Sequence, residues 1–205
     1  MNLRNQWLVV GGVVAVLAGG MWVAARQLND ELFPIRIGGE APDFSAVTLP
    51  TGGVAAGTTD SAATVTSASD GSPGGVARGI GDYAGEVVLL NIWATWCGPC
   101  RIEMPSMQRL EKRLGSKGLK ILAVSVDDPG MEPRMKAFAE ELGLTFEILH
   151  DAPGRIRQIY QTTGVPETFI IGRDGLIRRR IIGADDWSSE ANIAFFERLL
   201  AEPRP

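Results

Sequence analysis

The sequence predicts an α/β fold: a mixed central sheet with flanking helices, preceded by one N-terminal transmembrane helix. Three observations carry this. Two continuous apolar runs, 86–93 (EVVLLNIW) and 119–126 (LKILAVSV), read as strands buried on both faces, and a segment of helical period lies between them. Near the C-terminus two more apolar runs meet across Arg173-Asp174-Gly175, a hairpin turn, and a helix follows. Ahead of everything, residues 7–25 (WLVVGGVVAVLAGGMWVAA) pass nineteen positions without a charge. A helix of that length covers about 28 Å, close to a bilayer core of about 30 Å.

The elements follow in order. Residues 1–6 form a short cytoplasmic N-terminus, because Arg4 and the terminal amine precede the span while Arg26, Asp30 and Glu31 follow it without a basic excess. Residues 7–25 are read as a signal anchor. The rival is a signal peptide cut after Val23-Ala24-Ala25, but the apolar stretch exceeds the 7–15 residues of such a segment. Both readings export what comes after. Residues 26–37 make a tether, and the folded domain occupies 38–205, starting around Ala41-Pro42-Asp43-Phe44. Inside it, residues 51–79 are rich in Gly, Ala, Ser and Thr, with no aromatic residue, Leu or Ile. Such a segment buries too little apolar surface to offset its ordering entropy, so it reads as a flexible insertion rather than a domain boundary.

Beyond it the pattern is regular. Strand 86–93 leads to a helix from Cys97 to about Leu114, then strand 119–126. An amphipathic helix over 132–142 places Met135, Phe138, Ala139 and Leu142 on one side. A short strand at 146–149, a short helix at 155–160, and strands at 168–171 and 176–182 come next. Ser188 or Ser189 caps a last helix ending near Ala201, with Ile193, Phe196, Leu199 and Leu200 on its apolar face.

Composition narrows the function. The net charge of −4 argues against a nucleic-acid partner bound through its phosphates. Two cysteines and one histidine fall short of the roughly four ligands of a structural zinc site. No phosphate-binding glycine loop opens a helix, and no organic cofactor is expected.

The chemistry is concentrated in Trp96-Cys97-Gly98-Pro99-Cys100, where a buried strand gives way to a helix. The first turn of a helix has unpaired N–H groups and a partial positive charge, which stabilise a thiolate. The Cys97 thiol should therefore ionise below the free value of about 8.5. Two cysteines three apart on one turn can also close a disulfide. Cys97 is then the nucleophile that attacks a partner disulfide, and Cys100, one turn deeper, resolves the mixed disulfide. A two-cysteine metal site with His150 as third ligand is the rival reading of the pair.

The sequence LLNIWATWCGPCRIEMPSM resembles the thioredoxin superfamily, in particular its membrane-anchored, exported TlpA/ResA-like branch. Further matches are Arg101-Ile102-Glu103-Met104-Pro105 after the second cysteine, Gly164-Val165-Pro166-Glu167-Thr168-Phe169, Ala41-Pro42-Asp43-Phe44, and Gly183 followed by Asp185-Asp186-Trp187. The resemblance covers about residues 38 to 202 outside the insertion. It implies a thioredoxin-like fold with Pro166 in the cis form and a Val165 backbone that pairs with an extended substrate. It implies a single-pass protein of the bacterial cytoplasmic membrane, its domain on the periplasmic side. It favours the reducing direction, which the Gly98-Pro99 pair shares with reducing thioredoxins. A membrane thiol-electron donor would supply the electrons. The targets would be protein disulfides at haem or copper sites, such as apocytochrome c. An oxidase or isomerase of the same fold, a Cu(I) metallochaperone and a redox sensor remain as rivals.

One departure stands out. Ordinary thioredoxins carry a buried Asp six residues before the nucleophilic cysteine, and here that position is Asn91, which cannot titrate. Glu103, three residues after Cys100, shares its helix face. It is the candidate for taking the proton of the resolving thiol and tuning both cysteines. Trp96 is expected to flank the reactive sulfur and offer apolar contact to a partner. Gly98 and Pro99 belong to the same contact face. Trp93 reads as core, Tyr83 and Trp187 as rim packing, His150 as a packing or surface residue, and Pro105 as a helix kink. Arg178-Arg179-Arg180 reads as a solvated edge of alternating faces.

Overall fold

A computed structural model describes residues 11–24, 35–49 and 75–204. The chain divides into two compact units, residues 1–36 and 37–205. In the first, residues 11–24 are helical (α1). The remainder of the anchor expected over 7–25 lies outside the described residues. Among the described residues no helix is long and apolar enough to cross a membrane.

The second unit is built on a seven-stranded sheet of order β2-β1-β5-β4-β3-β6-β7. The strands are β1 (Ala46–Thr48), β2 (Ala77–Arg78), β3 (Val87–Trp93), β4 (Leu119–Ser125), β5 (Glu147–His150), β6 (Glu167–Ile171) and β7 (Ile177–Ile182). The helices are α2 (Gly98–Leu114), α3 (Glu132–Glu141), α4 (Arg155–Ile159) and α5 (Glu190–Ala201). β3, β4 and β5 are parallel, while β6 and β7 form an antiparallel hairpin added to the other side of β3. The sheet is therefore mixed, with β3 inside it and fully buried along its length. The hairpin turns at Gly175, whose φ of +77° suits a residue without Cβ.

Side-chain alternation along β3 sorts the core into two layers. Val87, Leu89 and Trp93 face one cluster, shared with Met104, Met107, Leu110 and Leu114 of α2, Met135 and Phe138 of α3, and Ile193, Phe196 and Leu199 of α5. Trp93 packs on Phe138 with ring centroids 4.8 Å apart. On the opposite face Tyr160, just after α4, lies between Phe169 (4.9 Å) and Phe44 (6.3 Å). Helices thus cover both faces, as the order of elements requires. Asn91 and Thr168 share the parity of Leu89 and Ile170, so they face α2.

Two expectations change. Residues 75–79 do not belong to a loose insertion. Ala77-Arg78 pairs antiparallel with Ala46-Val47, and the Thr48 hydroxyl accepts from the Val76 N–H at 2.8 Å. Asp43 accepts from Ile80 N–H at 2.8 Å, and a Cβ on Gly79 would collide with the Phe44 carbonyl. Small residues here allow close backbone approach, which composition alone reads as disorder. The rest of the predicted insertion lies outside the described residues. The strands β1 and β2, of three and two residues, are too short to show a period. Trp187 is not a rim residue: it is completely buried in the α2 and α5 layer. Pro105 lies inside α2, where the sequence places it.

Candidate active site

β3 delivers the site. It ends at Trp93, and the Cys97 N–H closes a turn on the Ala94 carbonyl at 3.1 Å. Cys97 has extended backbone and caps α2, with Pro99 in the first helical turn, where its fixed φ favours helix and its missing N–H is not needed. The Cys97 sulfur accepts from the Cys100 N–H at 3.1 Å, so the free donor of the helix start is aimed at the sulfur. Cys97 and Cys100 are disulfide-bonded, with Cα atoms 5.3 Å apart. Their exposures differ in the sense the roles require: 4% for Cys97 and none for Cys100. Of the two, only Cys97 has any exposed surface.

The surroundings of Cys97 are open. Gly98 and Pro99 are exposed, and Trp96 is 62% exposed. Ile102, one turn along α2, is 77% exposed and was not expected at the surface of the site. The 94–97 turn is fixed from below by Asp127, a buried carboxylate that takes the Thr95 N–H (2.9 Å), the Thr95 hydroxyl (2.8 Å) and the Ser125 hydroxyl (2.7 Å). Sequence reasoning missed Asp127, because a single Asp after a strand reads as loop.

Glu103 is 1% exposed, inside the protein and on the helix face of Cys100. Asn91 Nδ2 donates to its Oε1 at 2.8 Å, and Trp187 Nε1 and the Asp185 N–H donate to its Oε2 at 3.1 and 3.3 Å. Asn91 donates its second hydrogen to Thr168, its cross-strand neighbour, at 2.8 Å, which leaves its own carbonyl oxygen buried without a partner. Asn91 thus acts as a pure donor, a role an aspartate could not fill beside a carboxylate. Burial pushes the Glu103 carboxyl above its ordinary range, and the hydrogen bonds from Trp187, Asn91 and Asp185 pull it back part of the way. A lone buried carboxylate costs several kcal/mol, against about 1.5–3 kcal/mol for each hydrogen bond to a charged group. The hydrogen bonds therefore offset only part of the burial cost, and this carboxyl holds a proton more readily than an exposed one. Ser106 secures the turn that carries Trp187: its hydroxyl donates to the Glu103 carbonyl at 2.7 Å and accepts from the Trp187 N–H at 3.0 Å. A tryptophan embedded in a polar turn was the available signal for this role.

The Val165-Pro166 bond is cis. Glu167 pairs with Ile92 across the sheet, so Pro166 stands at the Trp93 end of β3, the end that carries the cysteines. Pro166 is buried and Val165 half-buried. The predicted residues Trp96, Cys97, Gly98, Pro99, Cys100, Glu103, Val165 and Pro166 therefore gather at one end of the central strand pair. His150 does not join them. Its Nε2 faces the Asp127 carbonyl at 2.9 Å and its Nδ1 the Glu132 carboxylate at 3.1 Å. Among the described residues no group of three or more His, Cys, Asp or Glu side chains could hold a metal ion.

Known proteins are similar to this chain in sequence and in fold. The AhpC/TSA family profile matches residues 37–180. The thiol-disulfide oxidoreductase ResA of Oceanobacillus iheyensis is 31% identical over 182 residues, covering 88% of this chain and 83% of that protein. The thioredoxin-like protein YneN of Bacillus subtilis is 32% identical over 184 residues, covering 88% of this chain and 92% of its own. Among solved structures, a thiol:disulfide interchange protein DsbE from Chlorobium tepidum superposes with a TM-score of 0.63 at 26% identity, over 82% of this chain and 99% of that one.

Proposed function

The chain belongs to the thioredoxin-like AhpC/TSA family and is a thiol–disulfide oxidoreductase of the ResA type, and from this we propose that it reduces disulfides in exported proteins while tethered to the membrane. The observation that carries the proposal is the buried Glu103 carboxyl one turn after the buried Cys100. A reductase must deprotonate its resolving thiol at the moment the mixed disulfide has formed, when water is displaced from the site. A proton acceptor already inside the protein meets that need. The Gly98-Pro99 pair supports the same direction, and the charge-free stretch at 7–25 supports the tether.

The steps balance. The Cys97 thiolate attacks one sulfur of the target disulfide, whose S–S bond breaks and whose second sulfur leaves as a thiolate. Cys100 passes its proton to Glu103 and attacks the Cys97 sulfur. The Cys97–Cys100 bond closes and the target's remaining thiolate leaves. Two electrons have moved from the dithiol to the target, whose two thiols take one proton from Cys100 by way of Glu103 and one from solvent. A membrane dithiol donor returns two electrons to reset Cys97 and Cys100. The dithiol itself is the redox group and no further cofactor takes part. Targets are cysteine pairs that must be reduced before haem or copper can attach.

The test uses the full-length chain in detergent, fully reduced, mixed anaerobically with a peptide holding a Cys-x-x-Cys-His disulfide. One peptide dithiol should appear for each Cys97–Cys100 disulfide formed. If the peptide stays oxidised while the oxidised chain readily oxidises the reduced peptide, the direction is reversed and the proposal fails.

A further inference from the structure

Glu167 is fully buried, lies directly after the cis proline, and has no part in the thiol chemistry above. Its Oε2 accepts from the Thr163 N–H at 2.9 Å and from the Thr163 hydroxyl at 3.3 Å. Its Oε1 accepts from Arg180 Nε on the edge strand β7. The same guanidinium reaches on to the Gln161 carbonyl at 2.8 Å and lies over the Phe169 ring. One carboxylate and one guanidinium therefore grip the loop between α4 and β6 at residues 161 and 163, immediately before Val165-Pro166. Among the described residues, the Val165 backbone makes no hydrogen bond of its own.

Glu167 is wholly buried while Arg180 stays a quarter exposed, and an ion pair that buries a charge is a poor device for stability, since well-packed apolar side chains often serve as well or better. What this pair adds is direction: its tethers fix where the 161–166 backbone lies. An extended peptide that adds to a backbone edge draws its affinity from main-chain hydrogen bonds, which need that edge held in place. We propose that Glu167 and Arg180 are positioning residues for substrate capture. They hold Val165 so that its unpaired backbone groups meet an extended disulfide-bearing chain beside Cys97. The inference rests on the reductase reading given above and adds a specificity element to it: preference for peptide disulfides over small ones.

The experiment compares the full-length reduced chain with Glu167→Gln and Arg180→Lys on two substrates. One is the Cys-x-x-Cys-His peptide disulfide and the other is 5,5′-dithiobis(2-nitrobenzoate), which has no backbone to pair. Glu167→Gln removes the ion pair. Arg180→Lys keeps the charge but cannot span Glu167 and the Gln161 carbonyl with a planar fork. Both variants should raise KM for the peptide about tenfold, leave kcat within about twofold, and leave the small-disulfide rate within about twofold. If both substrates slow together, or neither does, the pair is only structural and the inference is wrong. If the parent protein does not reduce the peptide at all, it is the reductase reading that has failed. Should Glu167→Gln not fold, Arg180→Lys decides alone.

Discussion

Replacing Cys100 by Ala is expected to convert the protein from a catalyst into a trap. Cys97 keeps its place as the cap of α2, so it should still attack a target disulfide and form a mixed disulfide. Nothing then resolves it. Turnover of a peptide disulfide should fall to background while a covalent adduct accumulates, visible as a mass increase that a reductant reverses. Cys97→Ala should abolish turnover and form no adduct, because Cys100 is fully buried and cannot be reached from outside. The two variants together assign the roles. An adduct on the Cys97→Ala protein, or none on the Cys100→Ala protein, would reverse or remove the assignment.

The second large effect concerns Glu103. Glu103→Gln should slow reduction about a hundredfold near neutral pH, the lower end of what a positioned acid or base contributes. The pH profile is the more telling readout. Glu103 accepts a proton only when ionised, and burial holds its carboxyl above the ordinary range. The parent rate should therefore climb as pH rises through that raised value, and the Gln variant should lose the limb. Trp187→Phe removes one donor to the carboxylate and should move the limb to higher pH without abolishing it. Stability carries the same signature with a definite sign. Below the ordinary carboxylate range both folded and unfolded chains are protonated at this position. As pH rises, the unfolded chain ionises first, so the native state binds more protons and loses stability until the raised value is passed. Thermal denaturation of the parent should show this decline, and Glu103→Gln should not. A rate and a pH profile unchanged by Glu103→Gln would leave the carboxyl a packing residue.

Much of this arrangement was legible in the sequence, and the reasons differ by element. β3 is buried on both faces, and β4 is too, apart from Lys120, so their composition announced them without any period. Cys97 and Cys100 were readable because a strand-to-helix junction has a known electrostatic character. What could not be read were contacts made at long range. Trp187 reaches Glu103 across 84 positions of chain, and its polar neighbours Asp185, Asp186 and Ser188 made it look like rim. Asp127 acts on Thr95 from the loop after β4, which only the parallel register of β3 and β4 reveals. The strand at 77–78 was hidden because Gly75 and Gly79 serve close backbone approach, whereas composition scores glycine as looseness. Glu103 lay between these cases. Helical spacing put it on the face of Cys100, but its burial depends on a turn some eighty residues away.

The central claim is that this dithiol is a reductant. Its equilibrium reduction potential decides that most directly, measured on the full-length chain in detergent by titration against defined thiol–disulfide buffers with alkylation of free Cys97 and Cys100. A value between about −270 and −220 mV is expected, within the range of thioredoxin and the glutaredoxins. A value near about −120 mV, that of a strong oxidant, would mean the protein inserts disulfides rather than removing them.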